Sequence, residues 1–196
     1  MAGDAGSIAA DAAVAATCAK YGSDRRHGDH VAMLARQMFE AFSPLHMLDE
    51  PYERILVHAA LLHDVGYFVA ARGHHRHSAY LVLYDQEMRD YPLGDRELLA
   101  GVVRNHRKRP KAAPKGWPKE RKQALLWLSA LLRVADSLDY EHNQAAGIAQ
   151  VVSRPGGFEI VVRGFDPRPF AVRMADKADL LESLCGGSVH FTGTLR

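Results

Sequence analysis

Apolar side chains recur every three to four residues in five segments of the chain, and this spacing predicts five amphipathic helices. They span residues 31–42, 55–62, 78–88, 95–105 and 119–138. An alanine-rich stretch predicts a further helix over residues 8–20, from the helix propensity of alanine alone. We expect Pro44 to break the first amphipathic helix, Glu50 and Pro51 to begin the next, and Asp95 to cap the fourth.

The pattern switches from helical to strand-like near residue 145. Residues 148–153 and 158–162 alternate in polarity around the turn sequence Pro155-Gly156-Gly157, which predicts a β-hairpin. Residues 175–184 then predict a short helix and residues 188–192 a returning strand. We therefore predict a mainly α fold, a helical bundle with a small C-terminal α+β appendage.

Length and composition fit one such unit, because 196 residues with 47% hydrophobic side chains can bury a sizeable core. We predict a leader helix at residues 1–20, a helical domain at 21–145 and the appendage at 146–196. Cys18 and Cys185 lie in unrelated segments without CxxC spacing, so neither a disulfide framework nor a zinc ribbon is expected. That usage fits a reducing cytoplasm.

The N-terminal stretch does not resemble a signal peptide, because it lacks a basic start and contains Asp4 and Asp11. No apolar run approaches the length that crosses a membrane. We therefore expect a cytoplasmic protein without a membrane partner.

His63 and Asp64 place an imidazole and a carboxylate side by side at the end of the predicted helix 55–62. A buried carboxylate must be paired, hydrogen-bonded or bound to a metal. A capping or hydrogen-bonded pair would satisfy that need without a metal. However, His27 precedes another predicted helix and Asp136 ends the apolar run of a third, so three helices each offer a metal-ligand residue type.

The order His, His-Asp, Asp resembles the HD superfamily of metal-dependent phosphohydrolases. Over roughly residues 20–196 the chain is similar to the C-terminal region of the exopolyphosphatase / guanosine pentaphosphate phosphohydrolase (Ppx/GppA) family. The similarity is carried by residues 63–67 (HDVGY), 73–81 (GHHRHSAYL), 105–108 (NHRK) and 131–139 (LLRVADSLD). It implies an HD-domain helical bundle.

Members of that family carry two actin-like domains with phosphate loops ahead of this region. Here only the alanine-rich residues 1–19 precede it, and the sequence contains no glycine-rich phosphate loop. We therefore expect a stand-alone HD region, to which the exopolyphosphatase chemistry of those domains does not transfer.

The resemblance implies a divalent metal held by His27, His63, Asp64 and Asp136, with Asp64 catalytic as well. Spacing to Val31-Ala32 favours His27 over His30 as the ligand on its helix. Mixed imidazole and carboxylate ligands suit Mn²⁺, Fe²⁺, Ni²⁺ or Mg²⁺ better than structural zinc. Such an ion would activate a water molecule for attack on phosphorus.

The cluster His74-His75-Arg76-His77 begins the helix that follows. In two-metal HD proteins a histidine from this place and another from the next helix complete a second site. We rank His75 and His77 above His74 for that role and pair them with His106. The same histidines could instead be catalytic through contact with the substrate phosphate, or pack around a single ion, so both one and two ions remain open.

Five basic residues are candidates for substrate binding: Arg76, Arg104, Arg107, Lys108 and Arg133. Arg133 lies one helical turn before Asp136 and could clamp a phosphate or orient that aspartate. Between residues 104 and 122 nine cations face the single acid Glu120. This segment could concentrate polyanions, or it could be a solvated loop.

These features favour a metal-dependent phosphohydrolase that acts on a nucleotide or other small phosphate ester through metal-activated water. The alternative is a non-catalytic module that binds polyphosphate, a nucleotide or RNA through the basic segment, whose one aromatic residue is Trp117. Tyr140-Glu141 departs from the Arg-Ser that is common in the family, which leaves the substrate open. The oligomeric state is also open.

Overall fold

The computed structural model describes residues 2–107 and 110–194. Within them the elements are α1 (Ala2–Tyr21), α2 (Arg25–His46), α3 (Glu50–Leu62), α4 (His74–Tyr84), α5 (Leu93–Asn105), α6 (Lys119–Leu138), β1 (Gly147–Arg154), β2 (Gly157–Arg163), α7 (Ala171–Cys185) and β3 (Ser188–Thr194). The predicted class, mainly α with a small C-terminal α+β appendage, is confirmed.

Helix α6 is the centre of the bundle. It packs against α2, α3, α5 and α7, and Leu128, Leu131, Leu132 and Val134 are completely buried. From Ala124 to Leu138 every residue except Leu126 and Asp136 is buried, so this part of the helix is surrounded by other elements. The polar residues near its C-terminal end are therefore brought into the interior, where Asp136 stays partly exposed.

Helix α2 is longer than its apolar pattern predicts, and the prediction that it breaks at Pro44 is wrong. Proline has no N–H to donate to the carbonyl of Glu40, one turn earlier. The hydroxyl of Ser43 donates to that carbonyl at 2.8 Å instead. The helix ends at His46, and its C-cap Met47 adopts a left-handed φ of 53° and donates its N–H to the Ser43 carbonyl.

Helix α5 begins at Leu93, two residues before the predicted cap. Its N-cap position is Pro92, without a side-chain hydrogen bond, and Asp95 lies in the first turn, where its charge favours the helix dipole. The predicted helix 78–88 is divided into α4 and a short 3-10 turn, Gln86–Met88. Helix α4 begins at His74 and therefore includes the whole histidine cluster.

The appendage is a three-stranded sheet in the order β1-β2-β3. β1 and β2 form the predicted antiparallel hairpin, and β3 lies parallel to β2. Between β2 and β3 the chain forms α7, which packs on α6 and buries Met174, Ala178 and Leu181. This packing brings the appendage beside Asp136. The predicted domain boundaries stay a prediction.

Among the described residues, no helix is both long enough and apolar enough to cross a membrane.

Candidate metal centre

The end of α3 presents His63 and Asp64 toward α4 because the following turn packs directly on that helix. His63 is the C-cap of α3, and the 3-10 turn Val65–Phe68 follows Asp64. The Gly66 N–H donates to the Ser78 hydroxyl at 2.8 Å. A Cβ at Gly66 would lie 2.3 Å from the His74 carbonyl oxygen. Only glycine permits this approach, which places Asp64 beside the histidines of α4.

His27 is positioned by residues on both sides of its ring. Asp24, the N-cap of α2, accepts the His27 backbone N–H at 3.2 Å. The Nδ1 atom donates to the buried Asp139 carboxylate at 2.8 Å. In the neutral imidazole this leaves Nε2 without a proton, and Nε2 lies 3.3 Å from His63 Nε2 and 3.7 Å from Asp136 Oδ1.

Two further imidazoles of the cluster follow the same rule. His63 donates Nδ1–H to the Ala60 carbonyl at 2.7 Å, and His106 donates Nδ1–H to the Val103 carbonyl at 2.7 Å. In both cases Nε2 is left to face the cluster. Outward hydrogen bonds of this kind orient metal-binding histidines in proteins.

Asp64 joins two groups of potential ligands. Its Oδ2 lies 3.4 Å from His63 Nε2, and its Oδ1 lies 3.2 Å from His74 Nε2 and 3.8 Å from His106 Nε2. The ligand atoms of His27, His63 and Asp64 all lie within 4.8 Å of one another, and so do those of Asp64, His74 and His106. We call these two sets the first and the second group.

Asp136 lies next to the first group, with Oδ1 3.5 Å from His63 Nε2. Its Oδ2 is paired at 3.0 Å with the ammonium group of Lys177 from α7. Sequence reasoning missed both Lys177 and the contact of Asp139 with His27. The available signal for Lys177 was its position between Met174 and Leu181 on the apolar face of the predicted helix. The available signal for Asp139 was its spacing of three residues from Asp136.

The electrostatics of the cluster favour a bound cation. Burial alone would lower the pKa of His63 and of His27, but the neighbouring carboxylates outweigh burial and raise the pKa of both above 6.5. Burial would raise the pKa of Asp136, but Lys177 and the two histidines hold it well below its usual value. Burial lowers the pKa of His106 to about 3, so this imidazole is neutral and able to coordinate at ordinary pH.

The donor set fits a divalent ion. Nε2 atoms of His27 and His63 that face each other at 3.3 Å cannot both be satisfied without a proton or a cation between them, because both Nδ1 protons are donated outward. Imidazole nitrogens together with carboxylate oxygens suit Mn²⁺, Fe²⁺ or Ni²⁺.

Several of the predicted site residues lie elsewhere. His75 is buried with its ring centroid 6.2 Å from that of His106, and His77 is half-buried, but neither belongs to the two groups, where His74 takes their place. Arg76 is exposed. Lys108 lies outside the described residues.

Two of the predicted arginines, Arg107 and Arg133, differ in their contacts. Arg107 Nη1 lies 3.1 Å from His74 Nδ1. Arg133 directs Nη2 to the Asp179 carboxylate at 2.6 Å and to the Asp176 carbonyl at 2.7 Å. These contacts direct the guanidinium of Arg133 toward α7.

The cluster opens into a polar cavity of about 390 Å³. Its walls include Asp64, His74, His106 and Asp136 from the cluster, Arg107, Tyr140 and His142 from loops, and Arg173 and Lys177 from α7. The guanidinium of Arg173 lies 3.7 Å above the Tyr140 ring. A cavity of this size, lined by cations beside ligand-type residues, can accept a small anionic molecule.

Fold and cluster together define a helical protein with a candidate metal centre of histidines and aspartates. Residues 10–156 match the family model described as Ppx/GppA phosphatase, domain III. Because the match covers most of the chain, the chain belongs to the Ppx/GppA phosphatase family. No curated protein matches it. The matched range includes every histidine and aspartate of the cluster and ends before α7.

Proposed function

We propose that this protein is a metal-dependent phosphohydrolase of the HD type, acting on a nucleotide or other small phosphate ester through metal-activated water. The observation that carries the proposal is the convergence of His27, His63 and Asp64, with Asp136 beside them, on one buried point. Membership of a phosphatase family supports the reaction class.

A bound divalent ion, most simply Mn²⁺, would supply a water of lowered pKa and polarise the phosphoryl oxygen. The chain's own residues hold the ligands in place through the Asp139 carboxylate and the Ala60 carbonyl. The second group, Asp64, His74 and His106, would hold a second ion in the same cavity.

Arg107 and Arg173 are our candidates for binding the substrate phosphate, because both line the cavity. The stacking of Arg173 on Tyr140 orients its guanidinium without using its N–H donors. His142 also lines the cavity, stacks on His27 with ring centroids 3.8 Å apart, and keeps an ion-pair partner in Asp24. We propose it as the residue that protonates the leaving oxygen.

Elemental analysis of the purified protein, followed by a screen of phosphate esters with added Mn²⁺, tests this function. We expect Mn²⁺, Fe²⁺ or Ni²⁺ in the protein and phosphate release that Asp64→Asn abolishes. A protein that binds none of these ions and releases no phosphate from any ester would contradict the proposal.

The free thiols of Cys18 and Cys185 support a cytoplasmic location.

The alternative, a binding module for polyphosphate, a nucleotide or RNA, is favoured by a second cavity. This groove of about 380 Å³ lies between α4, α5 and the loop before α6, and it combines Tyr84 and Trp117 with Arg104 and Lys111. Titration with a mononucleotide or polyphosphate, followed by Trp fluorescence, tests it. The signal should disappear in Trp117→Phe, because Trp127, the second tryptophan, is buried.

A further inference from the structure

We propose that Lys177 is a positioning residue of the metal centre, whose ammonium group holds the Asp136 carboxylate and the end of α5 in the geometry that binds metal. This inference rests on the proposed metal-dependent function. It assigns a role to a residue of the appendage, beyond the range that matches the family.

Lys177 is almost completely buried, with 4% of its surface exposed. Lysine is rarely buried, because removing an ammonium group from water is costly unless it is paired and hydrogen-bonded. Here the ammonium donates to Asp136 Oδ2 at 3.0 Å and to the His106 carbonyl at 2.9 Å. Both acceptors belong to residues of the cluster, so the burial of this lysine is explained by the centre itself.

The contact of Lys177 with Asp136 determines which carboxylate oxygen faces the first group. Its Oδ2 is taken by Lys177, while Oδ1 lies 3.5 Å from His63 Nε2 and 3.7 Å from His27 Nε2. The rotation of the carboxylate is thereby fixed, and a single oxygen faces the first group. Without Lys177 the carboxylate could rotate, and Oδ2 would be a buried oxygen without its cation.

The second contact fixes the end of α5. His106 is the C-cap of this helix, where the last carbonyls have no partner within the helix. A cation at this end is also favoured by the helix dipole. With its carbonyl held by Lys177 and its Nδ1 held by Val103, His106 keeps Nε2 3.2 Å from His74 Nε2. One ammonium group thus joins Asp136, which lies beside the first group, to His106 of the second group.

The docking of α7 does not depend on Lys177 alone. Arg133 pairs with Asp179 and with the Asp176 carbonyl, and the Ser137 hydroxyl contacts the Met174 sulfur. A variant of Asp179 therefore perturbs the attachment of α7 and leaves both contacts of Lys177 in place. This separates a positioning role from a merely structural one.

The test is calorimetric titration of the full-length, metal-stripped protein with Mn²⁺, for wild type, Lys177→Met, Lys177→Arg and Asp179→Asn, with a thermal melt of each. Removing a cation near the site would by electrostatics alone tighten Mn²⁺ binding. Loss of the positioning contacts should have the opposite effect on affinity, and we expect Lys177→Met to weaken Mn²⁺ binding about tenfold or more. Lys177→Arg should restore most of the loss, and Asp179→Asn should lower Tm without changing affinity.

Binding by Lys177→Met that equals or exceeds that of wild type overturns the inference while leaving the proposed function intact. Equal weakening in Lys177→Met and Asp179→Asn overturns it as well, since docking of α7 would then be the cause. Should Lys177→Met fail to fold, Lys177→Gln takes its place with the same criteria, because its neutral amide is one bond shorter than the lysine side chain and cannot reach both the Asp136 carboxylate and the His106 carbonyl. A wild-type protein that does not bind Mn²⁺ contradicts the proposed function itself.

Discussion

The buried carboxylate of Asp139 accepts the Nδ1 proton of His27 at 2.8 Å, although the two residues are 112 positions apart in the chain. The first turn of α2 and the residue after α6 are thus joined at the candidate metal centre. Because the hydrogen bond selects the tautomer of His27, Asp139 would act on a bound metal ion without touching it.

Asp139→Asn should weaken Mn²⁺ binding about 10- to 100-fold. An asparagine can turn its NH₂ group toward Nδ1, which would place the proton of His27 on Nε2, the atom that faces His63. Titration calorimetry measures the effect. Asp29→Asn is the matched control, because Asp29 is an exposed residue of the same helix as His27, and its affinity should equal that of wild type.

Asp64→Asn should have a larger effect, because Asp64 is the residue that the two groups share. We expect loss of metal from both groups and loss of phosphate release, with the fold retained. Circular dichroism checks the fold and elemental analysis checks the metal. Substantial hydrolysis by a folded, metal-free variant would show that the ion does not generate the nucleophile.

Periodicity predicted the helical bundle and the hairpin because burial of apolar faces determines both. Local hydrogen bonds decided what periodicity could not. The Ser43 hydroxyl satisfies the carbonyl that Pro44 leaves without a donor, and α2 continues. Helix α5 begins at Leu93, after Pro92 at the N-cap, so Asp95 lies in its first turn and not at the predicted cap.

The resemblance pointed to His27, His63 and Asp64, which the structure brings together. From the same resemblance we ranked His75 and His77 above His74, whereas the second group contains His74. Which of these neighbours faces Asp64 depends on the rotation of α4, which the close approach of Gly66 to the His74 carbonyl fixes. Lys177 was missed for a different reason. Its partners are 41 and 71 positions away, and only the packing of α7 on α6 makes them neighbours.

Substitution of His106 distinguishes one metal from two. If both groups bind an ion, His106→Gln should reduce the Mn²⁺ content from two ions to one, because His106 belongs only to the second group. His75→Gln is the matched control, since His75 lies on α4 outside both groups, and it should keep the wild-type content. An unchanged stoichiometry in His106→Gln with reduced activity would assign His106 to the substrate.

Mn²⁺ affinity should fall as the pH falls, beginning above pH 6.5. The pKa values of His63 and His27 are raised by their carboxylates, so protons occupy these nitrogens at a higher pH than in a free imidazole. Binding must displace them, and displacement of one to two protons weakens affinity about 10- to 100-fold per pH unit. His106, with a pKa of about 3, adds nothing over this range. Titrations at constant ionic strength that give equal affinity at pH 8 and pH 5.5 would exclude histidine coordination.

Charges of the basic segment should affect capture of the substrate more than the chemical step. Lys111 lies in the groove beside Trp117, and Lys115 is exposed in the same loop. Replacing both lysines by glutamine should raise KM several-fold and leave kcat nearly unchanged, because charges remote from the reacting atoms bind the ground state and the transition state alike. The defect should shrink with added salt, since exposed charges act over about 8 Å at physiological ionic strength.

Replacing Arg154 and Arg163, on the sheet of the appendage, by glutamine provides a control with equal loss of charge. If both double variants have the same KM as wild type at low salt, the segment is a solvated loop, and the binding-module alternative loses its electrostatic support.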